Sequence, residues 1–266
     1  MKYTRRLAGF AAIAGIAIIT GLASAWAQDK VMRIGSEGAY PPFNFIDQSG
    51  KLAGFDVEIG MALCEEMKAK CELVAQDWDG IIPALVAGKY DVIIASMFIT
   101  EERKKVVSFT DPYYAAAMTH VTAKGSDIKE ISDAALAGKA VGAQSSTTQA
   151  EYVQKTYPGA DIRLYKTQDE ANLDMANGRL DVMVGDVIPM LDWTTKTEDG
   201  KCCELVGEPI TDKAFVGDGV GMAVRQEDNE LRENLNKALA AIIANGTYKA
   251  INDKYFTVNV LTMKKD

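Results

Sequence analysis

Polar, charged and aromatic residues follow the predicted β-strands of this chain, at the points where the strands end. They are Ser36, Glu37, Tyr40, Asp77, Trp78, Ser96, Arg103, Gln144, Thr147, Thr148 and Asp186. In open parallel sheets, ligands bind outside the carboxyl ends of the strands. The set combines both signs of charge, aromatic faces and several hydroxyl groups, which favours a small zwitterion as the ligand. A nucleotide is disfavoured because the chain has no glycine-rich phosphate loop.

Three members of this set also have a simpler interpretation. Trp78 could be a core residue, Asp186 could be the N-cap of a helix that begins at Val187, and Arg103 could be one charge on a solvated helix face. Each of these interpretations is reasonable for a single residue. Because all members occur together at strand ends, we favour the binding interpretation for the set as a whole.

The composition excludes several classes of protein. The chain has 266 residues, of which 48% are hydrophobic and 25% are charged, enough for one large domain or two modest ones. Its net charge of −8 argues against nucleic-acid binding, which needs a basic surface. The single histidine, His120, argues against a histidine-rich metal site and against a Ser-His-Asp triad. We therefore expect no metal, no cofactor and no nucleic-acid partner.

The first residues have the pattern of an export signal. A positively charged start precedes an apolar run over residues 7–23, and Ala25-Trp26-Ala27 has the small–x–small pattern of a cleavage site. A membrane anchor is the alternative, because the apolar run approaches the length of a membrane span. The cleavage pattern and the polar residues after it favour a cleaved signal peptide over residues 1–27. No cysteine stands at the cleavage site, so no lipid anchor is expected. We therefore predict a periplasmic protein.

The four cysteines form two pairs. Cys64 lies in a predicted helix over residues 55–70, and Cys71 begins a predicted strand that can fold back along that helix. This arrangement brings the two within bridging range, and we predict a Cys64–Cys71 disulfide, which export permits. Cys202 and Cys203 are neighbours in a turn rich in glycine, lysine and glutamate, where a mutual bridge is strained. We expect two reduced or vicinally linked thiols there.

Strands and helices alternate along the chain. Strands are predicted over residues 31–35, 71–75, 91–95, 118–123, 139–143, 162–165, 181–185 and 219–224. Helices are predicted over residues 55–70, 80–87, 132–137, 147–156, 168–177, 187–195 and 229–244, with a further helix opening at Thr100. This alternation with short connections predicts an α/β fold with parallel sheets. The sequence motif over residues 85–92 recurs over residues 175–182. A repeat about 90 residues apart indicates two similar lobes.

Several longer motifs occur in a characteristic order. They cover residues 37–45, 54–60, 78–85, 99–103, 108–114 and 217–221. These motifs resemble those of the periplasmic polar amino-acid-binding proteins, which deliver ligands to ATP-driven importers. The resemblance extends over nearly all of the chain after residue 27. It is strongest to the lysine/arginine/ornithine and histidine binders, with the octopine and nopaline binders close by, and the cysteines on either side of residues 67–70 also match that branch.

The resemblance implies a two-lobed periplasmic binding protein of type II. Lobe 1 would comprise residues 28–115 and 215–266, and lobe 2 would comprise residues 116–214. The two crossovers between them would form a hinge, and the ligand would close the lobes on itself. The implied protein is a monomer without a cofactor. It would bind an amino acid or an opine and deliver it to the membrane permease of an ABC transporter.

The resemblance also implies roles for the residues that hold the backbone of an amino-acid ligand. Arg103 would bind the α-carboxylate through two parallel N–H bonds. The backbone N–H of Thr148, at the start of a helix, would assist it. Asp186 and the carbonyl of Ser96 would bind the α-ammonium group.

The side chain of the ligand has its own implied contacts. Tyr40 and Trp78 would sandwich it, which favours a guanidinium or ammonium group, and Glu37 would face its distal charge. Gln144 and Gln149 would line the wall of the second lobe. The complete implied ligand-binding set is Glu37, Tyr40, Trp78, Ala95, Ser96, Phe98, Arg103, Gln144, Thr147, Thr148, Gln149 and Asp186.

Two positions depart from the family pattern and leave alternatives open. Ala95 and Phe98 stand where basic amino-acid binders usually carry serines, which removes one contact to the α-ammonium group and reshapes the pocket. An opine or a bulkier amino acid is therefore also considered. The same fold occurs in secreted enzymes similar to cyclohexadienyl dehydratase, in which Glu37 or Asp186 would donate a proton and have a raised pKa. We favour the binding protein over the enzyme, and presentation of the ligand to a chemoreceptor would use the same site.

Overall fold

The computed structural model describes residues 31–115, 117–128 and 130–262. The predicted signal peptide over residues 1–27 lies outside the described residues. Within the described part of the chain, no helix combines the length and the apolar character that crossing a membrane requires.

The helices and strands are as follows. The strands are β1 (Met32–Ser36), β2 (Ala39–Tyr40), β3 (Asn44–Ile46), β4 (Leu52–Ala53), β5 (Cys71–Ala75), β6 (Val92–Ile93), β7 (Val107–Phe109), β8 (Met118–Ala123), β9 (Ala140–Gln144), β10 (Asp161–Tyr165), β11 (Val182–Asp186), β12 (Cys203–Ile210) and β13 (Ala223–Arg225). The α-helices are α1 (Phe55–Glu66), α2 (Ile81–Val86), α3 (Glu101–Lys104), α4 (Asp133–Leu136), α5 (Thr148–Thr156), α6 (Gln168–Ala176), α7 (Val187–Lys196), α8 (Lys213–Val216), α9 (Asn229–Ala244) and α10 (Thr247–Tyr255). Short 3₁₀ helices cover Trp78–Gly80 and Asp199–Cys202.

One five-stranded sheet contains strands that are distant in sequence, in the order β5-β1-β6-β13-β7. β1 is parallel to β5 and β6, whereas β13 is antiparallel to β6 and β7. Helices α1 and α9 pack together beside this sheet, where Leu63 and Leu235 are fully buried in one hydrophobic core. Because β1 and β6 are parallel neighbours, Glu37 and Ser96 follow strands that end at the same edge of the sheet.

The second five-stranded sheet has the order β10-β9-β11-β8-β12. β9 is parallel to β10 and β11, and β8 is antiparallel to β11 and β12. Helices α5, α6 and α7 pack against it. Gln144 ends β9 and Asp186 ends β11, so that these two polar residues also lie at one edge of a sheet.

The predicted α/β fold with helix-flanked sheets is confirmed, and β1, β5 and β6 as well as β9, β10 and β11 are parallel as predicted. Both five-stranded sheets are nevertheless mixed, because they also contain antiparallel strands. The parallel strands belong to stretches in which strands and helices alternate, such as β1–α1–β5–α2–β6. By contrast, β8 and β13 each follow a segment that belongs to the other sheet. Each of them runs antiparallel to its neighbour in its own sheet, β8 to β11 and β13 to β6. A hydrophobic pattern identifies such a strand but does not give its direction.

Several elements of the structure are absent from the sequence prediction. These are the small antiparallel sheet β2-β3-β4, the strands β7 and β12, and the helices α8 and α10. The strand predicted over residues 219–224 is reduced to β13, because Val220 forms isolated bridges with Phe98 and Tyr114 instead of a ladder. The strand predicted over residues 91–95 ends at Ile93, before the chain takes a left-handed conformation at Ser96 with φ of 53°.

All four cysteines are bridged in pairs. Cys64 and Cys71 form the predicted disulfide, with an S–S distance of 2.04 Å and a Cα–Cα distance of 6.2 Å, and it ties the region of α1 to β5. Cys202 and Cys203 are vicinally linked, which is one of the two expected states. Cys203 begins strand β12, so the pair does not lie wholly within a turn.

The repeated sequence motif over residues 85–92 and 175–182 has the same structural role in both places. The backbone N–H of Arg33 in β1 donates to Asp91 Oδ2 at 3.0 Å. The backbone N–H of Ala140 in β9 donates to Asp181 Oδ2 at 2.7 Å in the same way. Each motif therefore ends a helix and anchors the following strand beside a parallel neighbour, as expected for two similarly built halves.

Candidate functional site

One cavity is lined by residues that follow strands of both five-stranded sheets. Its walls lie close together and leave about 20 Å³ of space for the centre of a water-sized molecule. The lining residues are Glu37, Tyr40, Trp78, Ala95, Ser96, Phe98, Arg103, Gln144, Thr147, Thr148, Gln149, Gln168 and Asp186. The structure thus brings all twelve residues of the implied ligand-binding set together, and Gln168 is an addition. Ser36 and Asp77, two other strand-end residues, do not line this cavity.

Arg103 supplies a cation to the cavity. It stands in α3, where the Thr100 hydroxyl accepts a hydrogen bond from the backbone N–H of Arg103 at 3.3 Å. Its Nη1 donates to the carbonyl of Phe98 at 3.0 Å, and its Cζ lies 5.3 Å from the centroid of the Trp78 ring. Burial lowers the pKa of Arg103 to about 10, so the guanidinium is charged at neutral pH. Arg103 is therefore not one charge on a solvated helix face.

Asp186 supplies a buried carboxylate. It occupies the N-cap position of α7, but its side chain makes no capping hydrogen bond. Its Oδ1 instead accepts a hydrogen bond from the side-chain amide of Gln149, and its backbone N–H donates to the Tyr40 hydroxyl at 3.4 Å. Burial raises the pKa of Asp186 to about 7, although the positive charge of Arg103 acts in the opposite direction. The simple N-cap interpretation is therefore wrong for the side chain.

Glu37 supplies the second carboxylate. The side-chain amide of Gln144 donates to Glu37 Oε1 at 2.6 Å and to the carbonyl of Lys166 at 3.2 Å. Burial raises the pKa of Glu37 to about 7, and the negative charges of Asp169 and Asp77 add to the effect. Glu37 is therefore surrounded by neutral and acidic groups, and a cationic group beside it would stabilise its ionised form.

Two aromatic side chains complete the wall beside the first sheet. Tyr40 is buried, whereas Trp78 is half-buried at the edge of a hydrophobic cluster. The Trp78 Nε1–H donates to the carbonyl of Ser146 at 3.0 Å. Trp78 therefore both borders the cavity and joins segments of the two sheets, so the core interpretation covers only part of its role.

The start of α5 forms the opposite wall. The Thr147 hydroxyl caps this helix, accepting from the backbone N–H of Ala150 at 3.1 Å and donating to the carbonyl of Gln144 at 2.6 Å. Thr148 and Gln149 follow in the first turn, and both are buried. Backbone N–H groups at such a helix start lack partners within the helix, which makes the position suitable for an anionic group.

Gln168 is the lining residue that the sequence interpretation missed. It begins α6 three residues after β10 ends at Tyr165, and its Nε2 donates to Asn172 Oδ1 at 3.1 Å. The rule that ligands collect at strand ends could have found it, because β10 is one of the predicted strands. Ala95 and Phe98 are both almost completely buried, and the Phe98 carbonyl positions Arg103 through the hydrogen bond described above.

The groups that line the cavity are complementary to a small molecule with both signs of charge. One guanidinium, two carboxylates and two aromatic faces converge there, with neutral amides as the present partners of the carboxylates. Their charges are complementary to those of a zwitterion with an additional distal cation. Among the described residues, no group of three or more His, Cys, Asp or Glu side chains is arranged to hold a metal ion.

Comparisons with known proteins agree with this chemistry. Residues 32–258 match the bacterial extracellular solute-binding proteins, family 3. The L-arginine-binding protein of Pseudomonas aeruginosa is 46% identical over 237 residues, which are 88% of this chain and 91% of that protein. The lysine/arginine/ornithine-binding periplasmic protein of Escherichia coli is 37% identical, over 93% of this chain and 97% of that protein. An ancestral arginine-binding protein bound to arginine superposes with a TM-score of 0.78 and is 38% identical, over 86% of this chain and 99% of that chain.

Proposed function

Because the chain belongs to family 3 of the bacterial extracellular solute-binding proteins, we propose that it captures a basic amino acid, arginine foremost, in the periplasm. It would deliver this ligand to the membrane permease of an ABC transporter. The relatives named above bind arginine, lysine or ornithine according to their names, and their matches extend over most of both chains. We propose binding without chemical conversion of the ligand.

The observation that carries this proposal is the joint placement of Arg103, Asp186 and Glu37 around one cavity. A basic amino acid has three charges, and each finds an opposite charge there. Arg103, with the start of α5, would take the α-carboxylate, and Asp186 would take the α-ammonium group. Glu37 would then pair with the distal cation between the faces of Tyr40 and Trp78.

The sheet topology supports the division into lobe 1 (residues 28–115 and 215–266) and lobe 2 (residues 116–214). Each five-stranded sheet falls within one of these proposed lobes, and the chain passes between them twice. Polar contacts such as Trp78–Ser146 and Glu37–Gln144 connect the two sides around the cavity. We propose that ligand binding favours this closed arrangement, because the ligand would contact both sides at once.

The raised pKa values of Glu37 and Asp186 also fit a second candidate, an enzyme similar to cyclohexadienyl dehydratase. In such an enzyme, one of the two carboxyls would remain protonated in the presence of substrate and act as an acid. In a binding protein, the amides of Gln144 and Gln149 would be displaced by cationic groups of the ligand. The cations would then lower both pKa values. The pH dependence of binding distinguishes the two candidates.

We expect the affinity for arginine to fall as the pH falls below 7. Each carboxyl with a ligand-free pKa of about 7 must lose a proton before it pairs with a cation. Protonation of one such group between pH 8 and pH 5.5 lowers the affinity by about 30-fold, and protonation of both groups lowers it by about 1,000-fold. Calorimetric titration with arginine, in buffers of different ionisation enthalpy, measures both the affinity and the protons released.

The variant Glu37→Gln serves as the control for this titration, because its remaining pH dependence should be that of one group. An affinity that is constant between pH 8 and pH 5.5 would contradict the proposed pairing of both carboxylates. Conversion of a cyclohexadienyl acid to an aromatic product, followed by absorbance, would establish the enzyme instead.

A further inference from the structure

Asp56 is a buried carboxylate that lies outside the cavity. It stands in the first turn of α1 and has no exposed surface. Three side chains from separate segments surround it: Asn44 and Ser96 reach its Oδ2 at 2.9 Å each, and Tyr113 reaches its Oδ1 at 2.7 Å. A buried carboxylate with this number of neutral donors is well satisfied as an acceptor.

The orientation of the Asn44 amide shows that Asp56 accepts from it. The backbone N–H of Gly38 donates to Asn44 Oδ1 at 2.9 Å, which identifies the oxygen of that amide. The Asn44 Nδ2 therefore points at Asp56 and can only donate. Through Asn44, Asp56 is connected to the loop between Glu37 and Tyr40, two residues that line the cavity.

Ser96 connects Asp56 to the other lining segment of lobe 1. Its backbone is left-handed, with φ of 53°, a conformation that residues other than glycine rarely adopt. The hydrogen bond from its hydroxyl to Asp56 offsets the cost of that conformation. The same turn directs Ala95, Ser96 and Phe98 to the cavity, and the Phe98 carbonyl in turn accepts from Arg103.

We propose that Asp56 is a positioning residue for ligand capture, which aligns the segments 37–40 and 95–98 through Asn44 and Ser96. The inference rests on the proposed function, because its effect is read as affinity for a basic amino acid. Asp56 is not itself a lining residue, but it accepts a hydrogen bond from Ser96, which lines the cavity and holds the carbonyl that would bind the α-ammonium group. Without Asp56, that carbonyl and the Arg103 guanidinium would lose their shared alignment.

The test is a double-mutant cycle in calorimetric titrations with arginine. Asp56→Asn leaves an amide that cannot accept from all three donors, and we expect the affinity to fall by about 10- to 100-fold. Ser96→Ala removes the hydroxyl and keeps the carbonyl, and we expect a fall of about 3- to 10-fold. If Asp56 acts through Ser96, the double variant binds no more weakly than Asp56→Asn alone, because coupled residues are not additive.

Asp91→Asn is the matched control. Asp91 is also buried and accepts hydrogen bonds from Arg33 and Arg225, but none of these residues lines the cavity. Its replacement should lower the melting temperature and leave the affinity within about twofold of the wild type.

The possible results separate this inference from the proposed function. An affinity of Asp56→Asn within twofold of the wild type would overturn the positioning role, and so would losses that multiply in the double variant. If Asp56→Asn does not fold, Ser96→Ala decides the question, and an unchanged affinity overturns the role. A folded wild-type protein that binds no amino acid would instead overturn the proposed function, and this inference with it.

Discussion

Replacing Arg103 with methionine should lower the affinity for arginine by at least about 30-fold and by as much as several thousand-fold. Methionine approximates the length of the side chain but leaves the α-carboxylate of the ligand without a counter-charge. Breaking one side of a buried, hydrogen-bonded charge pair costs about 2–5 kcal/mol, which corresponds to this range. The stacking of Arg103 over Trp78 and its bond to the Phe98 carbonyl are lost as well. Calorimetric titration of both proteins with arginine measures the effect.

Two controls make this result specific. Arg179→Met removes an exposed arginine that pairs with Asp174 at 2.6 Å, away from the cavity, and its affinity should stay within twofold of the wild type. Argininamide, in which a neutral amide replaces the α-carboxylate, should lose much less than arginine when Arg103 is replaced. If Arg103→Met binds both ligands with equal losses, Arg103 shapes the cavity and does not bind the carboxylate.

The second large effect is expected for Glu37→Gln, and it should depend on the charge of the ligand. The affinity for arginine should fall at least about 30-fold, because the distal cation is desolvated without a counter-charge. Citrulline has a similar length and a neutral side chain, and its affinity should change little or increase, since the variant buries no unpaired carboxylate. The new glutamine can keep a hydrogen bond to Gln144, so the shape of the cavity should be retained.

Asp77→Asn tests whether any negative charge near the cavity, and not only that of Glu37, affects the affinity for arginine. Asp77 raises the pKa of Glu37 through its charge, pairs with Lys166 at 2.7 Å and does not line the cavity. Its replacement should change the affinity for arginine by less than about threefold, because exposed charges interact weakly through water. Parallel losses of arginine and citrulline in Glu37→Gln would mean that Glu37 supports the cavity and does not read the charge of the ligand.

Much of the cavity could be predicted because its residues follow strands with clear patterns. Glu37 follows β1 and Gln144 ends β9, and the rule of strand ends identifies both as candidate lining residues. The contact between them joins two different sheets, and the rule does not give that contact. The helices with capping residues were equally predictable. Thr100 and Thr147 cap the helices that carry Arg103 and Thr148, and a side-chain oxygen at that position is a local property of the sequence.

Other features depend on contacts that the local sequence does not contain. The direction of β8 and β13 is set by the pairing of each strand within its sheet, and a hydrophobic pattern is the same in both directions. Asp56 lies in a helical segment and has the appearance of a first-turn acidic residue, which is a common and unremarkable position. Its partners come from Asn44, Ser96 and Tyr113, and only the folded chain brings these together.

The central claim is that the cavity selects a zwitterion with a basic side chain, and titration of the wild-type protein with a panel of ligands tests it most directly. The panel contains arginine, lysine, ornithine, octopine, citrulline and glutamate, each measured calorimetrically at pH 8. We expect 1:1 binding of arginine, at least about 30-fold tighter than that of citrulline, and no measurable binding of glutamate. Octopine binding tighter than arginine would identify the opine alternative on the same site. Equal affinities for arginine and citrulline, or preference for glutamate, would contradict the claim that Glu37 and its surroundings select a cation.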